Sequence, residues 1–552
     1  MKKLLSLLLC GAMIFSLAAC GTQTQPTAVN PSATTPPPGS APETPAWEGA
    51  VTIELSDDTI KVDGAEISHD ESAAVHDAAA IVYYEDGHDF TYGEGEAGDA
   101  HSADEAAAHT VVTITQPGEY VLRGKLSAGQ IAVDLGKGAK DDPDAVVDLY
   151  LDGVDITCTV APAIIFYNVY ECGSDDAETA AKDVDTTNAG ANIYLMDFSE
   201  NFVNGSYVAR IYKPESVVLN EDGTEVEEAK KLHKYDAAFY SKMSMNIGTP
   251  EGGNGSGILR IDAENEGLDS ELHLTINSGY IFIESGNDGI NTNEDGVSVT
   301  TINGGDVFIM VTGETGEGDG IDSNGWLVIN GGTVEAIACS KSMDAGIDSD
   351  MGIYIGEGAN VIAAGHMLDR IESVDQTCIV FRFSQTRSGE EQLKLRNANG
   401  TDVLTVAPQN DYSVLLVSTP MRQPGDYTLW SGDTQLGHSG AQGGMMPGGM
   451  QMPGGFDPNN MPQMPEGMEM PPQWNGDMQP PDQNRFPGMQ LPEDFDPANM
   501  PDMPQGGGFG GGRPGGNRGP SGQSAPTATE KTFTLSSAKE NYFYGVAALA
   551  EQ

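Results

Sequence analysis

Basic residues are scarce in this chain. Lys and Arg number 27 against 82 Asp and Glu in 552 residues, a formal charge of −55. Such acidity argues against nucleic acid or any naked polyanion as a direct partner. It suits a protein that collects divalent cations, although acidity alone also keeps a secreted protein soluble. Cysteine is sparse too, with 6 in all. No pair forms a C-x-x-C motif, which argues against zinc and thioredoxin-like chemistry. Cys158 and Cys172 have two readings, an extracellular disulfide or buried free thiols. No apolar run is long enough for a permanent membrane span. The Asp-x-Asp-x-Asp-Gly loop with a Glu at its twelfth position is missing, so EF-hands are excluded.

One apolar run stands at the N-terminus. Lys2 and Lys3 precede Leu4 to Leu17, followed by Leu17-Ala18-Ala19-Cys20-Gly21. A basic region, an apolar region and a small-residue cleavage site make a signal peptide over residues 1–20. A Cys directly after Leu-Ala-Ala resembles the bacterial lipobox, which makes Cys20 the expected lipidation site. Cys10 is no rival, because Leu9 before it is too large for that cleavage. The expected location is the outer face of a bacterial cell membrane, held by the lipid alone. Residues 21–50 are rich in Pro, Thr, Ser and Ala and read as a tether.

The most informative stretch is residues 267–369, which repeats itself. Gly267-Leu268-Asp269-Ser270, Gly289-Ile290-Asn291-Thr292, Gly320-Ile321-Asp322-Ser323 and Gly346-Ile347-Asp348-Ser349 are versions of one phrase. Each is followed by a short β-like run and then a turn ending in Gly279, Gly305, Gly332 or Gly358. Self-similarity at about 20 to 30 residues is the mark of a solenoid. Ile276, Ile302, Ile329 and Ile355 hold equivalent places, and so do Leu274, Thr300, Leu327 and Ile353. Alternation puts both sets inward. The glycines and asparagines are expected at corners that need positive φ. Links this short cannot hold the crossover helix of a βαβ sheet. The fold class predicted is therefore all-β, a parallel β-helix with loop insertions.

The rest of the chain is read around that coil. Residues 69–109 carry five histidines without ligand spacing and read as a solvated loop. From Thr110 the pattern is β throughout, with insertions near residues 171–190 and 213–234. The second insertion is Lys/Glu-rich and reads as a possible short helix. Residues 51–437 are assigned to the coil domain. Residues 438–529 are Gly, Pro, Met and Gln of low complexity, expected to form a disordered insertion. Met invites a copper reading, but flexible filler suits the composition better. Residues 530–552 are expected to supply the final strands of the same domain.

Aligned repeats stack acidic and amide residues about 4.8 Å apart. One row holds Asp269, Asn291, Asp322 and Asp348. A second holds Asn293, Asn324 and Asp350, and a third Asp288, Asp319 and, offset by one, Asp344. Two carboxylates at that spacing repel by about 3–4 kcal/mol at an effective dielectric of 20. A proton or a cation relieves this. Ca²⁺ takes six to eight oxygens from carboxylates, amides, backbone and water, whereas Mg²⁺ demands a stricter octahedron. Calcium is the cofactor expected, in several ions. The plainer reading is that these residues only form turns. An outward row carries Trp326 and Tyr354, an aromatic face suited to sugar rings.

Beyond these patterns, Pro117-Gly118-Glu119-Tyr120-Val121-Leu122-Arg123-Gly124, Leu151-Asp152-Gly153-Val154-Asp155-Ile156, the Gly-Ile-Asp/Asn phrases and Val361-Ile362-Ala363-Ala364-Gly365 resemble a known group. It is the clostridial family of secreted or lipid-anchored carbohydrate-binding proteins, over roughly residues 110–430. The resemblance implies a right-handed parallel β-helix with bound calcium, similar in fold to pectate lyases, and binding of cellulose or polygalacturonate. The expected function is thus a cell-surface lipoprotein that binds polysaccharide. The alternatives are a calcium-dependent lyase and a structural adhesin. A lyase typically uses an Arg or Lys base. The repeat region offers only Arg260, Lys341 and Arg370, none of them in the acidic rows.

Overall fold

The computed structural model describes residues 47–82, 87–93, 101–220, 222–372, 375–420, 423–442 and 528–549. The signal segment with Cys20, the tether up to residue 46 and residues 443–527 of the low-complexity insertion lie outside the described residues. What is described is nearly all β. One short α-helix, Ala103–Ala107, is capped by Ser102, whose Oγ accepts from the Glu105 amide at 3.1 Å. Among the described residues no helix is long and apolar enough to cross a membrane.

Three parallel ladders organise residues 50 to about 365. The first runs through Gly118–Leu126, Val147–Thr157, Ala191–Leu195, Met245–Gly248, Leu274–Ile276, Val299–Ile302, Trp326–Ile329 and Ile353–Ile355. The second takes the end of Val147–Thr157 and then Glu200–Gly205, Ile258–Ala263, Tyr280–Ser285, Asp306–Val311, Thr333–Ile337 and Asn360–Gly365. The third runs through Thr110–Ile114, Gly129–Asp134, Ile164–Asn168, Ala237–Ser241, Glu266–Ser270, Ile290–Thr292 and Ile321–Ser323. A single bridge, Ile321 to Ile347, extends it.

The repeat sets the register. Ile276, Ile302, Ile329 and Ile355 are directly paired in sequence and each is 0% exposed. Leu274, Thr300, Leu327 and Ile353 form the neighbouring buried row. Thr300 tolerates burial because its hydroxyl meets that of Thr292 at 3.0 Å, and Thr292 meets Ser323 at 2.9 Å. Each ladder thus presents an apolar row to the same interior, and the short links leave no room for crossover helices.

The two kinds of glycine in the repeat do different work. The turn-closing glycines Gly279, Gly305, Gly332 and Gly358 all have positive φ, at 107°, 85°, 77° and 101°. The phrase-opening glycines do not. A Cβ on Gly267 would lie 2.5 Å from the Gly289 carbonyl oxygen, and one on Gly289 would lie 2.6 Å from that of Gly320. Close stacking of the backbone excludes a side chain there. The expectation that turn asparagines also take positive φ is corrected. Instead they join side chains, with Asn303 Nδ2 donating to Asn277 at 2.9 Å and Asn330 Nδ2 to Asn303 at 2.8 Å.

Other local expectations also change. The Lys/Glu-rich insertion holds a 3₁₀ turn, Pro214–Ser216, and the antiparallel pair Val218–Leu219 and Val226–Glu228, where a short helix was expected. The histidine-bearing segment is not wholly solvated: His76 is buried on the short strand Val75–His76 and bonds the Ala73 carbonyl at 3.1 Å. Cys158, Cys172, Cys339 and Cys378 are free thiols, so Cys158 and Cys172 do not pair. The final strands, Phe533–Leu535 and Asn541–Ala548, do not extend the parallel ladders. They join Cys378–Arg387, Tyr412–Ser418 and Gly425–Ser431 in a largely antiparallel sheet with its own buried cluster around Phe381, Tyr412 and Phe533.

Candidate functional site

The third ladder carries the acidic rows at one edge. Its register pairs Asp269 with Asn291 and Asn291 with Asp322, and the Asp348 amide follows by bonding the Ile321 carbonyl at 2.7 Å. Asn293, Asn324 and Asp350 come next along the chain, with Asn324 Nδ2 donating to the Asn293 carbonyl at 3.1 Å. Asp288 and Asp319 are joined through backbone, the Asp319 amide donating to Asp288 Oδ1 at 2.6 Å. Asp319 in turn accepts from the Ala345 amide, and Asp344 accepts from the Gly318 amide at 2.6 Å. The structure therefore brings all nine predicted cation ligands to one edge. Asp350 is exposed; Asp269 and Asn291 are buried.

Sequence reading missed three members of this edge. Glu266 stands before Gly267 as Asp288 stands before Gly289, so it starts the third row; its signal was position, hidden because it is Glu and not Asp. Asp236 and Asp369 were missed because they fall outside the repeated phrase. The Glu266 carboxylate lies close enough to raise Asp269, and the Asp369 carboxylate does the same to Asp348.

The electrostatics follow from burial. Desolvation, then neighbouring carboxylates, pushes Asp269 and Asp288 well above the usual carboxylate range. Desolvation raises Asp319 to about 8 and Asp322 to about 6. Glu266 and Asp348 are raised by the same causes. Three oxygens at the edge, Glu266 Oε2, Asp269 Oδ2 and Asn291 Oδ1, are buried without a hydrogen-bond partner. Acceptors stranded beside carboxyl pairs are what a cation would satisfy. Among the described residues no three His, Cys, Asp or Glu side chains converge as a ready metal cluster. A cation here would draw on amide and backbone oxygens as well as carboxylates, a donor set that fits calcium.

Trp326 and Tyr354 lie on the outward side of the first ladder, both half-buried. The register sets Tyr354 opposite Val328 and Trp326 opposite Val299, so they are diagonal neighbours and not one row. Lys182 from the first insertion stands over the Tyr354 ring at 5.2 Å. A second aromatic surface escaped sequence reading. On the second ladder Phe282 and Phe308 stack at 5.1 Å, and Arg260 covers Phe282 at 4.5 Å while pairing with Glu200 at 2.7 Å. Phe282 and Phe308 sit in the second β run of their repeats, at positions alternating with buried residues.

An all-β protein of parallel ladders with a buried acidic edge is the class that these features define. A family model described as "Carbohydrate-binding domain-containing protein" matches residues 108–380, which span the acidic edge and nearly all of the three ladders. That match covers just under half of the chain. Among solved structures the chain is similar to the gadolinium derivative of a polysaccharide lyase-like protein from C. thermocellum, at 21% identity and a TM-score of 0.32, over 56% of this chain and 93% of that one. No curated protein matches.

Proposed function

We propose that this protein is a cell-surface lipoprotein, anchored through Cys20, that binds plant cell-wall polysaccharide on a calcium-stabilised right-handed parallel β-helix. The three parallel ladders in continuous register support the coiled reading. The observation that carries the calcium assignment is the set of partnerless buried oxygens of Glu266, Asp269 and Asn291 beside carboxyl pairs. Asp269, Asp288, Asn291, Asn293, Asp319, Asp322, Asn324, Asp348 and Asp350 are the proposed ligand positions, with Glu266 added. Calcium cancels the repulsion between stacked carboxylates, and it offers a bridge to an acidic sugar such as a uronate. Trp326 and Tyr354 are the proposed sugar-stacking residues.

Binding is favoured over lyase chemistry because the three basic residues of the repeat region are engaged. Arg260 pairs with Glu200, Arg370 pairs with Glu372, and Lys341 Nζ bonds the Gly313 carbonyl. The test is retention on cellulose and on polygalacturonate, with product absorbance followed in parallel. Retention without unsaturated product is expected. Release of unsaturated uronate overturns the binding-only reading, and retention on neither polymer overturns carbohydrate binding. A melting temperature indifferent to chelator removes calcium.

A further inference from the structure

A cavity lies away from the acidic edge. It is a half-open groove of about 530 Å³ between residues 182–187 of the first insertion and the outward side of the first ladder. Its floor crosses the strands that carry Tyr194, Gly248, Thr275, Thr301 and Val328. Five strands at the usual spacing give a floor ~19 Å long. That is the length of a short oligosaccharide, and the volume is ordinary for a ligand site.

Its chemistry is that of amides and hydroxyls. Asn277, Asn303 and Asn330 form the exposed hydrogen-bonded rail along one side. Each amide in such a rail keeps donor and acceptor capacity for a ligand. On the opposite side Asn246 donates to the Thr186 carbonyl at 2.7 Å and to Asn192 Oδ1 at 2.9 Å. Both its N–H groups are thereby used, and its Oδ1 is left without a partner. Tyr194 stacks on Tyr150 at 5.0 Å. Its register partner on the other side is Gly248, which has no side chain to set against the ring. Charge is nearly balanced: Lys182 pairs with Asp183, and Asp185 is bonded to the amide and hydroxyl of Thr187. Nothing in the groove compensates a run of carboxylates.

We infer that this groove binds one run of an uncharged oligosaccharide, stacked on Tyr194 over Gly248 and held through its hydroxyls by the Asn277–Asn303–Asn330 rail. The inference rests on the carbohydrate-binding reading and gives it a site that works without a bridging cation. Acidic glycans would be left to other surfaces of the protein.

The test is calorimetric titration of the full chain with cellohexaose, xylohexaose and mannohexaose, and with hexagalacturonate for comparison. Gly248→Leu fills the space beside Tyr194. A Cβ there meets its nearest neighbour, Asn277 Cβ, at 3.5 Å, an ordinary contact. Thr301→Trp blocks the same floor from a second position, and melting curves check that both variants fold. At least one neutral hexasaccharide should bind, at least tenfold more weakly to both variants, and with unchanged affinity to Phe282→Ala. Neutral binding that ignores both blocking variants overturns the groove but leaves carbohydrate binding standing, as does binding of hexagalacturonate alone. Failure of all four probes and of the insoluble polymers overturns both.

Discussion

Asn293 donates a 2.6 Å hydrogen bond to Asp269 across two successive turns of the third ladder, and the other Asp269 oxygen is left buried with no partner. One oxygen is thus committed to the fold and one is available to a cation. Asp269→Asn removes the charge while keeping the shape. We expect the calcium concentration that gives half of the thermal stabilisation to rise at least tenfold, about 1.4 kcal/mol of binding. In chelator the same variant should melt no lower than the parent, because it no longer buries an ionisable group. Thermal unfolding against calcium concentration checks both.

The pH dependence has a definite sign. The folded-state values of Asp319 and Asp322 are raised to about 8 and about 6 from an ordinary 3.8. Between those limits the folded chain holds more protons than the unfolded chain, so stability falls as pH rises. In chelator the melting temperature should therefore drop between pH 5 and pH 8. Calcium displaces those protons, so its stabilising increment should grow over the same interval. An increment that shrinks toward pH 8 contradicts the assignment.

The interior rows predict a large packing cost. Ile302 is 0% exposed between Ile276 and Ile329. Ile302→Ala should cost about 2–5 kcal/mol, read as a lower denaturant midpoint. Calcium affinity of the folded variant should stay close to the parent, since Ile302 lies on a different ladder from the acidic edge.

Tyr354 lies beneath Lys182 beside the groove. Tyr354→Ala should weaken glycan binding about fivefold, a loss of about 1 kcal/mol typical of one aromatic contact. Its effect on the calcium midpoint should be negligible. Affinity electrophoresis in glycan-containing gels separates the two.

Parts of this arrangement were legible from the chain alone, for a reason specific to repeats. When one phrase recurs, aligning the copies gives the register, and the register gives both the buried isoleucine ladder and the Asp/Asn rows. Glu266 broke the phrase in residue type, and Asp369 stands outside it, so neither could be aligned. Phe282 and Phe308 were hidden in runs whose alternate residues are core. The fold of residues 182–187 over the first ladder carries no local sequence signal at all.

By itself, then, the sequence determined the inward Ile276–Ile302–Ile329–Ile355 row, the glycine-closed turns and the stacking of Asp269, Asn291 and Asp322. Periodicity translates directly into parallel pairing when the links are too short for anything else. Tertiary structure decided what depends on distance in space. It buried Asp269 and Glu266 together, left one oxygen of each without a donor, kept Cys158 and Cys172 from pairing, and laid the first insertion over the Asn-lined strands. Desolvation and cavities come from packing among distant segments, and no run of residues encodes them locally.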